Sequence, residues 1–399
     1  MVKLIKLLTH RVFVVALSIV IQLAVLLVVL LRFNEYYRQF NWICMGFSLL
    51  IVIWIVGDRS NPSYKIAWII PIMLFPIFGW LLYLLFGGNR LPKRTRQKMQ
   101  SMNQVMVEEL QHACNADTLA QVAGEDAGNM ARYIERVAYC PVYGNTETEY
   151  FPLGEAQFAS ILRELQKAER YIFLEFFIIE PGMMWDSILA ILEEKAAAGV
   201  EVRVLYDDIG SVFTLPRDYD HLLQKKGIQC HVFNRFLPVL SVRMNNRDHR
   251  KILSIDGKVA YTGGTNLADE YINAKPRYGH WKDSAIQVKG AAAWSMTVMF
   301  LTMWEYIRED FEQFRPEPAV TVGKGYVQPY GDSPLDDEPV GETVYLNLIN
   351  KAKRYVYLTT PYLIIAHATL TALVSAAKAG VDVRIITPHI PDKRRVFEL

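Results

Sequence analysis

Cysteine is scarce and scattered: the 399 residues hold four, Cys44, Cys114, Cys140 and Cys230. None forms a CxxC pair, which excludes a zinc ribbon and a disulfide scaffold and points to a reducing compartment. Excess charge of one sign is also lacking, with 43 Lys+Arg against 41 Asp+Glu. No global basic field therefore argues for nucleic acid. Charge as a whole is sparse, at 21% of residues against 52% hydrophobic, which excludes a disordered chain. The length predicts two or three domains. The apolar residues are concentrated in the first 90 positions, which argues against a wholly soluble protein.

Three apolar runs account for that concentration. Residues 12–31 form a stretch long enough to span a hydrocarbon core as a helix. The basic residues before it also suit a signal peptide, but Arg32-Phe33-Asn34-Glu35-Tyr36 offers no small-residue cleavage site, which favours a retained anchor. Residues 42–56 and 66–86 supply a shorter second span and a third carrying Pro71 and Pro76, with Trp42, Trp54, Trp68, Trp80 and Tyr83 near the expected ends. The basic cluster that follows, Arg90 to Lys98, places this flank and the rest of the chain in the cytoplasm by the positive-inside rule. The same cluster suits anionic lipid headgroups.

The expected organisation is a membrane domain at 1–90, a basic flank and helical spacer at 91–138, a first α/β lobe at 139–314, a linker at 315–341 and a partial second lobe at 342–399. The lobes follow from a repeat. Tyr171 to Ile178 reads as a buried aromatic strand, Ser187 to Ala198 as a helix closed by Gly199, and Val200 to Asp208 as a second strand. Such a βαβ unit calls for a parallel pair in a covered sheet. Ala352 to Pro361, Leu370 to Ala379 and Gly380 to Pro388 repeat it, with Arg170 matching Arg354 at an offset of 184 and Gly199 matching Gly380 at 181. Two copies at this spacing indicate duplication, not a solenoid.

The chemistry is concentrated in the first lobe. Asp248 to Ile255 reads as a strand, Asp256-Gly257 as a hairpin turn, and Lys258 to Thr262 as the returning strand. Period-two alternation puts His249 and Lys251 on one face. Gly263-Gly264 lets the backbone turn tightly or approach a ligand, and Asn266 follows with an amide donor. An imidazole nucleophile, a point positive charge and a neutral donor together suit a phosphate, attacked in line while Lys251 and Asn266 hold its oxygens. Glu175, inside an apolar strand, must find a partner if buried. Asp207 and Asp208 end a parallel strand, where ligands bind but exposed acids are also common. His280, Trp281 and Asp283 suit a structural or entry-groove role.

His249-x-Lys251-x4-Asp256-x6-Gly263-Gly264-x-Asn266 resembles the HxKxxxxD…GGxN signature of the phospholipase D superfamily. With the apolar N-terminal runs and the two lobes, the chain is similar to bacterial cardiolipin synthases from the first span onward. Thr360-Pro361-Tyr362 and Pro388 to Asp392 look like that family's second lobe. The resemblance implies N-terminal transmembrane helices followed by duplicated α/β lobes, each a mixed sheet flanked by helices, with the second lobe truncated. It implies conversion of two phosphatidylglycerols to cardiolipin and glycerol through a phosphatidyl-histidine on His249. His249, Lys251 and Asp256 carry the catalytic motif, with Asp256 better suited to organising the hairpin than to touching substrate. Lys251, Asn266 and Gly264 carry the phosphate. No metal, cofactor or nucleic acid is called for; the partners are phosphatidylglycerol and anionic lipids of the bacterial cytoplasmic membrane.

One departure stands out. An equivalent second-lobe histidine falls near position 430, beyond Leu399, and His221, His367 and His389 do not open another motif. A fragment, a homodimer pairing two single motifs, and an inactive lipid-binding membrane protein all fit that departure. Within enzymes, a phospholipid hydrolase or phosphatidylserine synthase is the alternative.

Overall fold

The structure, a computed structural model, describes residues 37–58, 62–76, 79–87, 93–110, 116–235, 246–304, 311–317, 323, 325–333 and 338–390, with isolated positions between 17 and 28. The 12–31 run lies almost wholly outside these residues. Two compact units emerge: residues 1–93 with 234–247, and residues 94–233 with 248–399.

In the first unit, helices α1 (Tyr37–Gly57), α2 (Pro62–Leu74) and α3 (Gly79–Phe86) pack around Ile55, Ile72 and Tyr83. Among the described residues no helix is both long and apolar enough to cross a membrane. The expected span at 66–86 is instead two helices, because Pro76 has no N–H to continue the ladder and α2 ends at Leu74. The α3 start then returns against α2: a Cβ on Gly79 would sit 2.3 Å from the Ile72 Cα. Trp54 and Trp68 meet Tyr83 edge-on, and Phe47 stacks on Trp80, so these aromatics also pack within the unit. Ile43, Leu49, Leu50, Ile53 and Met73 remain exposed.

The second unit begins with helices α4 (Lys93–Leu110), α5 (Ala116–Ala123) and α6 (Glu125–Ala138), as the spacer composition predicts. Strands β1 (Thr146–Phe151), β2 (Tyr171–Phe176), β3 (Glu201–Asp207), β4 (Gln229–Phe233), β5 (Ile252–Ile255), β6 (Val259–Gly263) and β7 (Ala285–Gly290) then build one mixed sheet ordered β1-β7-β6-β5-β2-β3-β4. The pairs β2–β3 and β3–β4 are parallel; the others are antiparallel. Helices α7 (Gly154–Leu165), α8 (Met183–Ala197) and α9 (Tyr219–Gln224) accompany the sheet. Their core with β2 and β3 is centred on Trp185, Ile172, Leu174 and Val204, all nearly inaccessible to solvent. On the other face of β2, Tyr171 and Phe173 are covered by Phe300, Trp304 and Phe314, the first two on α10 (Ala291–Trp304). Burial on both faces explains why β2 reads as a continuous apolar run.

The βαβ repeat is visible as geometry. After α11 (Val340–Lys351), strands β8 (Tyr355–Thr359) and β9 (Asp382–Ile386) pair in parallel across α12 (His367–Lys378). Glu201 N–H donates to the Arg170 carbonyl, and Asp382 N–H donates to the matching Arg354 carbonyl, each at 3.0 Å. The copies differ in cover. Tyr355 and Tyr357, at the positions of Tyr171 and Phe173, are 58% and 54% exposed.

Candidate active site

The hairpin forms as its sequence predicts. Asp256 and Gly257 adopt φ of 53° and 66°, the positive values that a tight primed turn requires, and Lys258 N–H closes it on the Ile255 carbonyl. Asp256 does more than turn the chain. Its Oδ1 accepts from the amides of Arg170 and Tyr171 and its Oδ2 from that of Glu169, at 2.8–2.9 Å. The third motif residue therefore ties the β5–β6 turn to the start of β2, rather than joining the side chains of His249 and Lys251.

The strand itself is shorter than its sequence suggests. Regular pairing begins at Ile252, opposite Glu175, so His249 and Lys251 lie in an extended lead-in to β5. Side chains from neighbouring strands divert this lead-in. Asp248 N–H donates to Asp207 Oδ2 at 3.0 Å, and Arg250 Nε donates to Glu175 Oε1 at 2.6 Å. Asp207 also accepts from the amides of Ile209 and Gly210. Asp207 and Asp208 are buried, and Asp207 organises backbone instead of presenting an exposed acid at the strand end.

His249 and Lys251 nevertheless converge. The Lys251 ammonium donates to His249 Nδ1 at 3.1 Å and to the His249 carbonyl at 2.7 Å. Phe177, just past β2, forms the wall beneath both. Its ring lies 4.7 Å from the imidazole centroid and 5.6 Å from Lys251 Nζ. Burial, followed by the Lys251 charge, holds the His249 pKa below the usual imidazole value, with Asp248 opposing. Burial likewise pushes Lys251 down to about 8, against the pull of Asp248 and Asp283. The result is a neutral imidazole beside a cation whose pKa lies within reach of physiological pH.

Asn266 and Gly264 occupy defined places. Asn266 is buried; its Oδ1 accepts from Ile178 N–H at 3.0 Å and its Nδ2 donates to the Tyr271 hydroxyl at 2.8 Å. The side chain locks the loop after β6 to the end of β2 and keeps one amide proton in reserve. At Gly264, a Cβ would lie 2.0 Å from Asp283 Oδ1, so glycine is required there for the approach of Asp283. The sequence spacing gave no signal for Asp283 or Phe177 as site residues. Burial raises the Asp283 pKa, and the Lys251 charge lowers it. His280-Trp281-Lys282 also reads HxK, but Gln287 stands where the motif needs Asp. His280 Nε2 lies 3.4 Å from Glu155, and Lys282 Nζ donates to the Pro152 carbonyl. Among the described residues no cluster of His, Cys, Asp and Glu is arranged to hold a metal ion.

Comparison with known proteins shows which family the chain belongs to. Residues 46–88 match the phospholipase D-nuclease N-terminal family, and residues 161–281 with 345–398 match the cardiolipin synthase, PLD-like domain. An uncharacterized protein of Streptococcus mutans is 43% identical over 352 residues, covering 87% of this chain and 76% of that one. The cardiolipin synthase of Geobacillus kaustophilus is 32% identical over 361 residues, covering 89% and 72%. Haemophilus influenzae phosphatidylserine synthase superposes with a TM-score of 0.46 at 13% identity, covering 65% of each chain. By the extent of the match to the cardiolipin synthase relative and the family model, this chain is a phosphatidyltransferase of the phospholipase D superfamily and belongs to its cardiolipin synthase family.

Proposed function

We propose that the protein transfers a phosphatidyl group between two phosphatidylglycerols, giving cardiolipin and glycerol, with His249 as the nucleophile. The observation that carries this reading is the contact of Lys251 Nζ with His249 Nδ1 over the Phe177 ring. An ammonium has no acceptor, so the imidazole lone pair on Nδ1 is occupied in the resting site. A phosphodiester oxygen competes for that ammonium. Lipid binding would thereby uncover the imidazole at the moment the phosphate arrives.

Nitrogen of neutral His249 then attacks phosphorus, the P–O bond to the headgroup glycerol breaks, and the leaving alkoxide takes a proton from a general acid. The terminal hydroxyl of a second phosphatidylglycerol, deprotonated by the same group, attacks the phosphatidyl-histidine; the P–N bond breaks and His249 is restored. Lys251 offsets charge developing on the phosphoryl oxygens. A second histidine suits the acid–base role, and His249 alone opens the full motif in this sequence. That second histidine comes from a second copy of the motif, and a second copy of this chain is one source of it. The exposed Ile43, Leu49, Leu50 and Ile53 of α1 support contact with a bacterial membrane that delivers the lipids.

The test uses membranes containing the chain or His249→Ala, supplied with labelled phosphatidylglycerol and read by mass spectrometry. Cardiolipin and equimolar glycerol that vanish with the substitution are expected. Phosphatidic acid in place of cardiolipin would identify a hydrolase; equal product from both chains would remove His249 from the mechanism.

A further inference from the structure

Behind the lead-in to β5, on the side away from Phe177, two buried carboxyl groups face one guanidinium. Glu175 Oε1 accepts from Arg250 Nε at 2.6 Å, and Asp248 Oδ1 lies 3.7 Å from the same nitrogen while accepting from the Arg250 amide. The second oxygens, Glu175 Oε2 and Asp248 Oδ2, are buried with no hydrogen-bond partner. Both carboxyl groups address the same Arg250 Nε, which brings the two side chains together. Two carboxylates are acceptors only, and facing each other they leave two orphaned oxygens and a net buried negative charge. One proton removes both defects.

We propose that Glu175 and Asp248 share a single proton, so that the pair carries one negative charge against Arg250, and that this neutral cluster is the positioning device for His249 and Lys251. Among the described residues no donor is hydrogen-bonded to either of the two oxygens. Arg250 Nη2 is taken by the Met299 carbonyl of α10. The nearby Cys140 thiol is pushed up to about 12 by burial and stays neutral. Asp207, from the end of β3, accepts the Asp248 amide. On the site side Asp248 acts on both His249 and Lys251. Burial is the largest cause raising Glu175 well above the ordinary carboxylate value, with Arg250 opposing and Asp248 adding to it. Because Asp248 and Arg250 flank His249, the cluster holds the backbone on either side of the imidazole without touching substrate.

The sign of the pH dependence follows. A carboxyl whose native pKa is raised lends its full stability below the unfolded value near 4.5 and loses it as pH rises through the native pKa. Thermal unfolding of the full chain in detergent, from pH 5 to 9, tests this on wild type, Glu175→Gln, Asp248→Asn, the double amide and Glu175→Ala. Either single amide supplies the missing N–H donor and keeps one negative charge for Arg250. Each is expected to melt near wild type at pH 6 and to lose the wild-type decline toward pH 9. Glu175→Ala should melt lower by several degrees. The double amide leaves Arg250 without an anion from this pair and should be the least stable.

A second reading follows the rate at which diethylpyrocarbonate modifies His249, mapped by mass spectrometry. It should stay near wild type in Glu175→Gln and rise in Glu175→Ala at temperatures where both are folded. The proposal rests on the assigned role of His249 only for its purpose, since neither measurement needs lipid turnover. A Glu175→Gln chain as unstable as Glu175→Ala, or a wild-type chain without alkaline decline, would overturn the shared proton. Unchanged His249 reactivity in Glu175→Ala would overturn the positioning role.

Discussion

His249 and Lys251 owe their altered pKa values chiefly to burial, and a transfer reaction should report both. In the proposed mechanism neutral imidazole is the attacking form, so the acid limb of kcat/KM is expected below about 6.5, the usual imidazole value. Loss of the Lys251 proton should give an alkaline limb near its pKa of about 8. Lys251→Arg keeps its charge to above about pH 12. Its alkaline limb should vanish while its rate falls, because the planar fork does not fit a point-charge site. A pH–rate profile of both chains decides this, and an alkaline limb retained in Lys251→Arg would assign it to another group. The spacing of His249, Lys251 and Asn266 was legible in the sequence because it lies within one hairpin. Phe177 and Asp283 were not, since each reaches the site from a different strand end.

At the scale of elements, the motif aspartate belongs to the hairpin. Asp256 satisfies three backbone amides, and removing an acceptor leaves donors unpaired at about 1–3 kcal/mol for each buried one. Asp256→Ala should therefore lower the melting temperature and, where the chain stays folded, leave the alkaline limb from Lys251 in place. A displaced alkaline limb with normal stability would instead place Asp256 in the catalytic centre. The turn was readable from Asp256-Gly257 because positive φ at two successive positions demands such residues. The start of β5 was not readable, because alternation in Asp248 to Lys251 continues through residues whose partners are side chains of β2 and β3 rather than a strand. Residues 66–86 show the converse limit. Their hydropathy suits a span, but hydropathy does not register that Pro76 ends α2 and that Gly79 permits the return.

These 399 residues carry one complete copy of the motif and two copies of the βαβ unit. If two chains pool their histidines, mixing wild type with excess-free, equimolar His249→Ala should leave about one quarter of the wild-type specific activity under free exchange of subunits in a two-fold dimer. About half would mean that each chain acts alone. Co-reconstituted chains assayed for cardiolipin provide the measurement. The repeat was legible because two parallel strands joined by a helix impose similar apolar patterns on both copies. Their unequal burial was not, for Tyr171 and Tyr355 look alike until α10 is seen to cover only the former.

The sequence by itself determined the α/β units, the hairpin and the residue types that meet a phosphate, because these depend on periodicity, turn conformation and chemistry over short separations. Tertiary structure alone decided that Asp256 reaches the amides at the start of β2, that Asp283 takes the space beside Gly264, and that Glu175 and Asp248 close on Arg250 behind His249. Those outcomes depend on which distant side chains are brought together and deprived of water, and local sequence pattern carries no record of that.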